Sequence, residues 1–495
     1  MGVPGLFYWI QQRHEKFTRT IPKGQNTVDN LYIDAVCFVH SCAQDVFGYG
    51  KSVSFSETYK SFTEKQKEQE VFRLTRNAIF ALTKYVKPTK RFYVLFDGVS
   101  PLAKQAQQRH RRFLGGPVEK GFDPNSITCG TEFLDRLQRY VKKGLENFCS
   151  KEKFELIFSD TSIAGEGEHK ALSFARENGP EESHCFYSPD GDLVILAMTL
   201  EFPKTWLLRK DHVQQWKHLL TDISGICQEF SQEIPIKDFV FLSCLLGNDF
   251  LPRLGMFEGK FSDTAEFLLA KYKQKGLHVF SRKTGKFLAK NTFKILKFLG
   301  TFEKELFDER CYFELTKQKE ERVDKTLLSA YDAKGGVDVE KYKEVFALKK
   351  QRSKQQTREY LRGCLWVTLY YTQGCPDNGW SYKYFYPPFL SDIEQDDLIQ
   401  EPFEHTVTLN QLVQLLCVLP PHSSHLLPKK WKRYAEVYRN RELAEFYPKE
   451  IEVDYEGKFR DYESIPLLPH MNVSKLQKAC REIEEKQRVN GRPLR

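Results

Sequence analysis

The sequence predicts an α/β fold with a mainly parallel central sheet and helices on both faces. In the first half of the 495-residue chain, short apolar segments with strand composition alternate with longer segments of helical periodicity. Several of the strand-like segments also end on or just before an acidic residue. Because parallel strands need long connections, which are usually helices, this alternation is typical of a sheet covered on both faces.

Each predicted strand is followed by a polar turn or a helix. The strands are Asn30–Ile33, Arg91–Phe96, Lys153–Phe158, His184–Tyr187 and Thr205–Arg209. The predicted helices are the segment A-V-C-F-V-H-S-C-A after Asp34, a helix over about 64–86, Ala103–Phe113, Thr131–Cys149, a helix from His169, and Lys237–Leu246. Gly115-Gly116-Pro117 predicts the end of the helix that begins at Ala103.

Composition restricts the classes of function. Hydrophobic residues make up 41% of the chain, which indicates a globular protein, and the net charge of +9 fits a polyanionic partner. The twelve cysteines have no C-x-x-C or zinc spacing and are expected to be free thiols. We expect no signal peptide, and no apolar run reaches membrane-spanning length. We therefore expect a cytoplasmic protein, with the nucleus as the alternative, and no membrane partner.

Seven carboxylates follow strands or a helix and form the main chemical signal. In a parallel sheet, sites form beyond the carboxyl ends of the strands, so most of these acids are expected at one edge. The alternative is a purely structural role, in which each acid caps a helix or lies on the surface. The seven are Asp34, Asp97, Glu166, Glu168, Asp190, Asp192 and Asp249.

Clustered carboxylates repel one another and cannot all stay ionised unless a cation lies among them. Oxygen ligands without Cys or His favour Mg²⁺ or Mn²⁺ over Zn²⁺. Two such ions suit phosphodiester cleavage, because they activate water and stabilise both the attacking and the leaving oxygen.

The helix after Asp97 carries a cationic face. Lys104, Gln108, Arg111 and Arg112 have i, i+4, i+7 and i+8 spacing, which places them on one side of a helix. Arginines bind phosphate in bidentate fashion, so this face is a candidate phosphate site, although a solvated basic face has the same pattern. His40 and Trp380 are candidates for stacking on a base, against the alternative of ordinary core packing.

These residues lie in motifs that resemble the XRN family of 5′→3′ exoribonucleases. The matching motifs follow the family's order and extend to the second half of the chain. They are M-G-V-P-G-L-F, L-Y-I-D, F-D-G-V-S-P-L-A-K-Q-A-Q-Q-R-H-R-R-F, S-I-T-C-G-T-E-F, G-E-G-E-H-K, D-G-D-L, L-G-N-D-F-L-P, Y-K-Y-F-Y-P-P-F-L-S-D-I, E-F-Y-P and L-L-P.

The resemblance implies a PIN/flap-nuclease-like fold and specific roles for the candidate residues. The seven carboxylates would be catalytic and bind two Mg²⁺ ions, and Lys104 would lie near the scissile phosphate. Gln108, Arg111 and Arg112 would bind a 5′-monophosphate, while His40 and Trp380 would enclose the terminal bases. The expected partner is 5′-monophosphorylated single-stranded RNA, degraded to mononucleotides by a monomer.

We expect three regions along the chain. They are an acidic-site nuclease domain at 1–300, a charged helical excursion or linker at 301–357, and a mixed region at 358–495 that packs on the catalytic core and completes the active-site pocket. The chain resembles a short form of the family that contains the catalytic core only.

Two alternative functions remain open. A flap-type structure-specific DNA nuclease would share the acidic core, but a glycine-rich helix-hairpin-helix is expected after its last aspartate. Here Asp249 is followed by F-L-P-R-L-G-M-F. A nuclease-dead RNA-binding scaffold would be favoured by loss of a metal carboxylate, and all seven are present.

Overall fold

The computed structural model describes residues 3, 5–50, 57–118, 121–211, 214, 217–317, 322–332, 334–350, 354–398, 401–458 and 463–489. The chain forms two compact units, each of which is described by itself. The sheet unit comprises His14–Ile226, Thr406–Lys449 and Pro469–Arg495, and the helical unit comprises Met1–Arg13, Cys227–His405 and Glu450–Leu468. The units are interleaved along the chain, whereas the predicted domains are consecutive. The compact units reflect which residues lie close together, whereas the predicted regions were drawn from composition along the chain. The predicted boundaries at 300 and 357 therefore stay a prediction.

The sheet unit contains a sheet that has seven strands within the described residues, in the order β1-β7-β6-β5-β2-β3-β4. The strands β6, β5, β2, β3 and β4 pair with one another in parallel, which confirms the predicted mainly parallel sheet. The bounds are β1 Thr18–Ile21, β2 Asn26–Asp34, β3 Val86–Leu95, β4 Glu155–Ser159, β5 His184–Tyr187, β6 Thr205–Lys210 and β7 His218–Asp222.

The sequence reading missed β1 and β7, which form the antiparallel edge of the sheet. β1 pairs with β7, and β7 pairs with β6. Both strands are short, and the two central residues of β1 are exposed, so neither has the apolar run that identified the central strands. The sheet is therefore mixed at one edge and parallel elsewhere.

The α-helices lie close to their predicted positions in the first half of the chain. The helix predicted over 64–86 ends earlier, at Leu82, because Val86 is already paired with Asn26 in the sheet. The bounds are α1 Leu6–Arg13, α2 Val36–Phe47, α3 Glu64–Leu82, α4 Leu102–Leu114, α5 Glu132–Cys149, α6 Gly167–Asn178, α7 Leu193–Met198, α8 Ile223–Glu233, α9 Ile236–Ser243, α10 Phe261–Lys275, α11 Ala289–Gly300, α12 Glu303–Glu314, α13 Lys325–Leu328, α14 Val339–Lys350, α15 Lys354–Gln373, α16 Gln411–Val418 and α17 Val473–Val489.

Both faces of the central strands are buried, which explains their continuous apolar sequences. On one face, Leu31 and Ile33 belong to the same core cluster as residues of α2, α3 and α5. On the other face, Tyr32 stacks on Tyr93 and Phe186, with ring centroids 4.5 and 4.8 Å apart. Helix α6 covers this second face.

The helical unit contains most of the remaining helices and two short hairpins. The hairpins pair β8 (Tyr331–Asp332) with β9 (Gly336–Val337) and β10 (Val453–Asp454) with β11 (Ile465–Pro466). Within the region at 301–357, predicted as a charged excursion or linker, the side chain of Arg310 binds Asp324 at 2.5 Å and both residues are buried. None of the described helices combines the length and apolar character that crossing a membrane requires.

The loops after β3 and β4 approach each other closely. The amide of Gly98 donates to the carbonyl of Gly165 at 2.9 Å, and the amide of Gly165 donates to the carbonyl of Val99 at 2.8 Å. A Cβ atom on Gly98 would lie 1.8 Å from the carbonyl oxygen of Ile163. Only glycine therefore fits at position 98, and the contact fixes the loop that carries Asp97 against the loop that carries Glu166.

We predict that Gly98→Ala lowers the melting temperature of the full chain by about 5 °C or more, because the added methyl group forces two backbones apart. Thermal denaturation followed by circular dichroism measures this. Gly335→Ala is the matched control, since a Cβ atom there meets no described atom within 4 Å. Equal melting temperatures for the two variants would contradict the prediction.

Candidate active site

Six of the seven predicted carboxylates lie at one edge of the sheet. Asp34 is the last residue of β2, and Asp97 follows β3 by two residues. Glu166 and Glu168 lie at the start of α6, after β4, while Asp190 and Asp192 follow β5. These four strands are adjacent and parallel in the order β5-β2-β3-β4, so their carboxyl ends meet.

Gly167 lies between two of these acids. Its amide donates to Oδ1 of Asp97 at 2.7 Å. A Cβ atom on Gly167 would lie 3.3 Å from Oδ1 of Asp34 and 3.4 Å from Oδ1 of Asp97. The absence of a side chain at position 167 therefore lets the two carboxylates approach the first turn of α6.

Ser188 connects the acids that follow β2 and β5. Its hydroxyl donates to Oδ2 of Asp34 at 3.0 Å and accepts a hydrogen bond from the amide of Asp190 at 3.2 Å. Oδ1 of Asp34 accepts from the amide of Val36 at 3.2 Å, the first amide of α2. The Asp34 carboxylate is thus oriented from both sides.

The carboxylates act on one another electrostatically. Burial raises the pKa of Asp34 to about 8, and the charges of Asp97 and Asp190 add to this shift. Burial also raises the pKa of Glu168 well above its ordinary value. The Lys104 ammonium opposes that shift, and the charges of Asp190, Glu166 and Asp192 add to it. The structure therefore brings the six acids of the sheet unit into one group, whose charges act on Asp34 and Glu168.

Lys104 places a positive charge in this group. Its Nζ lies 2.6 Å from Oε2 of Glu166, and the two side chains are 14% and 5% exposed. Helix α4 begins shortly after Asp97, which places Lys104 beside the acids, and the predicted contact of Lys104 with the scissile phosphate stays a prediction.

The donor chemistry of the group fits a hard divalent cation. All the ligand atoms are carboxylate oxygens, and Oε2 of Glu168 is buried with no hydrogen bond inside the described part of the chain. Across the same residues, no three His, Cys, Asp or Glu side chains already converge closely enough to hold a metal ion. Backbone amides, Ser188 and Lys104 hold the acids in their present positions. The carboxylates are the right type of ligand for a hard cation, but their side chains would have to rearrange to bind one.

The cationic face of α4 lies beside this group. Gln108 is buried and Arg112 half-buried, and neither Oε1 of Gln108 nor Nη1 of Arg112 has a hydrogen-bond partner among the described residues. Burial, followed by the charge of Arg111, lowers the pKa of Arg112 to about 9. A desolvated guanidinium with an unused donor is suited to an anion such as phosphate.

His40 lies on α2 within the field of these arginines. Burial lowers the pKa of His40 to about 4, and the charges of Arg111 and Arg112 contribute to the shift. The ring is therefore neutral at physiological pH. The structure thus brings His40 near the cationic face, as the base-stacking prediction requires, although the role itself stays a prediction.

Asp249 and Trp380 lie in the helical unit. Asp249 is half-buried, shortly after the 3-10 turn Cys244–Leu246. Trp380 is 7% exposed and stacks on Trp366 with ring centroids 5.1 Å apart. At least part of its ring is therefore covered by another side chain. The predicted metal and base contacts of these two residues stay predictions.

Sequence reasoning missed two buried cations that position the site. Nζ of Lys170 donates to the carbonyls of Phe96 at 2.7 Å and Asp160 at 3.1 Å, which ties together the segments after β3 and β4. Arg109 donates from Nη1 to the carbonyl of Cys417 at 3.0 Å and from Nη2 to that of Phe446. The one sequence feature that could have identified Lys170 is its place at the end of the motif G-E-G-E-H-K. Arg109 lies in the basic sequence Q-Q-R-H-R-R-F, where nothing distinguishes a buried arginine from an exposed one.

Comparison with known proteins agrees with the motifs. A family model described as "XRN 5'-3' exonuclease N-terminus" matches residues 1–120 and 115–211, and one described as "Xrn1 helical domain" matches residues 315–490. The 5'-3' exoribonuclease 1 of Homo sapiens is 25% identical over 97% of this chain and 34% of that protein. The 5'-3' exoribonuclease 1 of Saccharomyces cerevisiae is 23% identical over 97% of this chain and 43% of that protein.

The chain spans between about a third and a half of the length of the first curated relatives that it matches. Among solved structures, the catalytic core of Rad2 in complex with DNA aligns with 73% of this chain and all of that chain. The identity is 15% and the TM-score is 0.38, a value too low to support an argument. The two XRN models together match most of the chain and agree with the curated relatives, and the chain therefore belongs to the XRN 5′-3′ exonuclease family.

Proposed function

We propose that the chain is a divalent-metal-dependent 5′→3′ exoribonuclease that degrades 5′-monophosphorylated single-stranded RNA to mononucleotides. One observation carries the proposal: six carboxylates at one sheet edge lie beside a helix face on which Oε1 of Gln108 and Nη1 of Arg112 are buried and have no hydrogen-bond partner among the described residues. The names of the curated relatives support the 5′→3′ exoribonuclease part of the proposal.

The carboxylates would hold two Mg²⁺ ions, with Mn²⁺ as a substitute. In the proposal the ligands come from Asp34, Asp97, Glu166, Glu168, Asp190, Asp192 and Asp249. When bound, the ions supply charge neutralisation and activation of water for phosphodiester hydrolysis. The hydrogen bonds from Val36, Gly167 and Ser188 orient the Asp34 and Asp97 side chains before substrate arrives.

The α4 side chains would hold the substrate. Lys104, which binds Glu166 in the structure, would contact the scissile phosphate and stabilise its developing negative charge. Gln108, Arg111 and Arg112 would hold the terminal 5′-phosphate, because Nη1 of Arg112 is buried and has no hydrogen-bond partner among the described residues. A neutral His40 ring would stack on the first base, and Trp380 is proposed for the other side of the terminal bases.

The primary experiment compares one 3′-end-labelled, unstructured RNA carrying a 5′-monophosphate or a 5′-hydroxyl, with Mg²⁺ and with EDTA. The expected result is Mg²⁺-dependent mononucleotide release from the monophosphate RNA only. A DNA flap substrate is run in parallel. Cleavage of the flap alone would favour the structure-specific DNA nuclease, and RNA binding without any cleavage would favour the scaffold.

We predict that Asp190→Ala reduces the cleavage rate by about 1,000-fold or more while RNA binding is largely retained, because the variant loses one carboxylate of the coupled group. Single-turnover cleavage and fluorescence anisotropy measure the two quantities. Asp135→Ala is the control, since Asp135 is exposed on α5, where it forms an ion pair with Arg139 and accepts a long hydrogen bond of 3.4 Å from Gln138. Wild-type turnover by Asp190→Ala would refute the metal-site model.

We predict that Arg111→Ala lowers the ratio of the rates on 5′-monophosphate and 5′-hydroxyl RNA by about 10-fold to 100-fold. The reason is that the variant lacks a charged donor to the terminal phosphate. The ratio of initial rates on the two RNAs measures the preference. Arg139→Ala removes an exposed arginine of the same unit and should leave the ratio unchanged. If the preference survives in Arg111→Ala, the phosphate pocket has been misplaced.

A further inference from the structure

A second cationic surface lies in the sheet unit, outside the acidic site. The segment 429–441 reads K-K-W-K-R-Y-A-E-V-Y-R-N-R and runs along two consecutive 3-10 stretches, Lys429–Arg439 and Arg441–Phe446. We call its basic side chains the basic ledge. They are Lys429, Lys430, Lys432, Arg433, Arg439 and Arg441.

The segment is folded onto the unit by its apolar side, which leaves the ledge outside. Tyr434 and Val437 are buried, and the Tyr434 hydroxyl donates to Oε1 of Glu484 on α17 at 2.6 Å. The ledge residues are exposed, except Arg433, which is half-buried and stacks over the Tyr434 ring. The segment therefore presents its cations on a defined surface.

The nearby carboxylates bind groups other than the ledge side chains. Oε1 of Glu132 accepts from the backbone amide of Lys429 at 3.0 Å, and Oε1 of Glu484 accepts from the Tyr434 hydroxyl. Glu442 and Glu445 pair with Lys478 and Lys475 of α17 at 3.6 and 3.2 Å. No ledge cation forms an ion pair with any carboxylate in the described part of the chain. Within the segment, Glu436 is the single acidic residue against six basic ones. The ledge therefore carries a net positive charge, which favours a polyanionic partner.

An aromatic ring lies among these cations. Trp431 is partly exposed, and Nζ of Lys430 lies 4.1 Å from the centroid of its ring system. Cations interleaved with an aromatic ring are typical of surfaces that bind single-stranded nucleic acid, where the ring stacks on a base. An acidic protein would use the charges and have no particular need for the ring. A single tryptophan is also too little apolar surface to insert into a membrane.

The ledge is tethered to the helix of the proposed phosphate pocket. The guanidinium of Arg109 on α4 donates to the carbonyls of both Cys417 and Phe446, which flank the segment. The hydroxyl of Tyr447 closes the same loop by donating to the carbonyl of Leu416 at 2.7 Å. Arg109 lies between Gln108 and Arg111 in sequence, so one helix holds both the ledge and the proposed 5′-phosphate site.

We propose that the basic ledge binds the phosphate backbone of the RNA body, downstream of the 5′ end. This inference rests on the proposed function, because it assigns a second contact to the same substrate. Its direct consequence is a dependence on RNA length. An RNA of a few nucleotides occupies the acidic site alone, whereas a longer strand also reaches the ledge.

The test uses the triple variant Lys429→Gln, Lys430→Gln and Lys432→Gln of the full chain, which spares the half-buried Arg433. Fluorescence anisotropy in EDTA measures binding of 3′-labelled, 5′-monophosphorylated RNAs of 5 and 30 nucleotides across a salt series. The matched control is Lys143→Gln, Lys151→Gln and Lys153→Gln. These exposed lysines lie at or before the amino end of β4, away from the carboxyl edge of the sheet, and the net charge changes equally.

For the 30-nucleotide RNA, the ledge variant should bind about 10-fold more weakly than the control, with a salt slope smaller by up to about 2, at about 0.7 per lost phosphate contact. For the 5-nucleotide RNA, the two variants should bind alike. Equal loss at both lengths, or equal affinity of both variants for the long RNA, would overturn the ledge assignment. Displacement of the long RNA by polyglutamate as effectively as by unlabelled RNA would assign the ledge to acidic proteins instead.

The same experiment separates this inference from the proposed function. If the wild-type chain cleaves the RNA but the ledge variant matches the control at both lengths, only the ledge assignment fails. If the wild-type chain binds neither RNA, the proposed function and the ledge assignment fail together. Equal melting temperatures for the two triple variants establish that any difference in binding arises from the surface.

Discussion

Repulsion among carboxylates gathered at one edge of the sheet is the constraint on which the rest of the sheet unit depends. Burial, with the charges of Asp97 and Asp190 adding to it, raises the pKa of Asp34 to about 8, so full ionisation of the group is unfavourable. Such an arrangement persists only where the surrounding structure over-determines it. The hydrogen bond from Ser188 and the ion pair from Lys104 each hold one acid. The close contact of the loops at Gly98 and Gly165 supplies the rigid frame.

The same acid can cap a helix and also take part in the active site. Asp34 accepts a hydrogen bond from the first amide of α2, and Asp97 accepts one from the first amide of α6. The positive end of a helix stabilises a carboxylate and also fixes its direction. Helix starts are therefore suitable places from which to aim acids at a common centre. Glu166 and Asp192 precede α6 and α7 as N-cap residues, and neither side chain caps the helix that follows it.

Helix α4 makes functionally different contacts on two of its faces. One carries Lys104, Gln108 and Arg112 towards the acidic group, while Arg109 and Gln105 bind backbone carbonyls on another side. The amide of Ser100, just before α4, donates to Oε1 of Gln414 at 2.8 Å. These bonds explain why Thr406–Lys449 belongs to the same compact unit as the sheet. A helix that holds cations near acids needs anchors on its other side, because its charged face cannot pack against an apolar core.

The sequence by itself determined the positions of β2 to β6, the helices between them, and the acids that follow the strands, because periodicity and turn chemistry are local properties of the chain. It also determined the cationic face of α4. Only the tertiary structure decided the strand order that brings six acids to one edge, the pairing of β1 with β7, and the partners of Arg109. Thr18 and Thr221 are 203 residues apart, and Arg109 binds carbonyls 308 and 337 residues away. No local pattern encodes such pairings, because they depend on which buried surfaces and unsatisfied polar groups meet once the chain has folded.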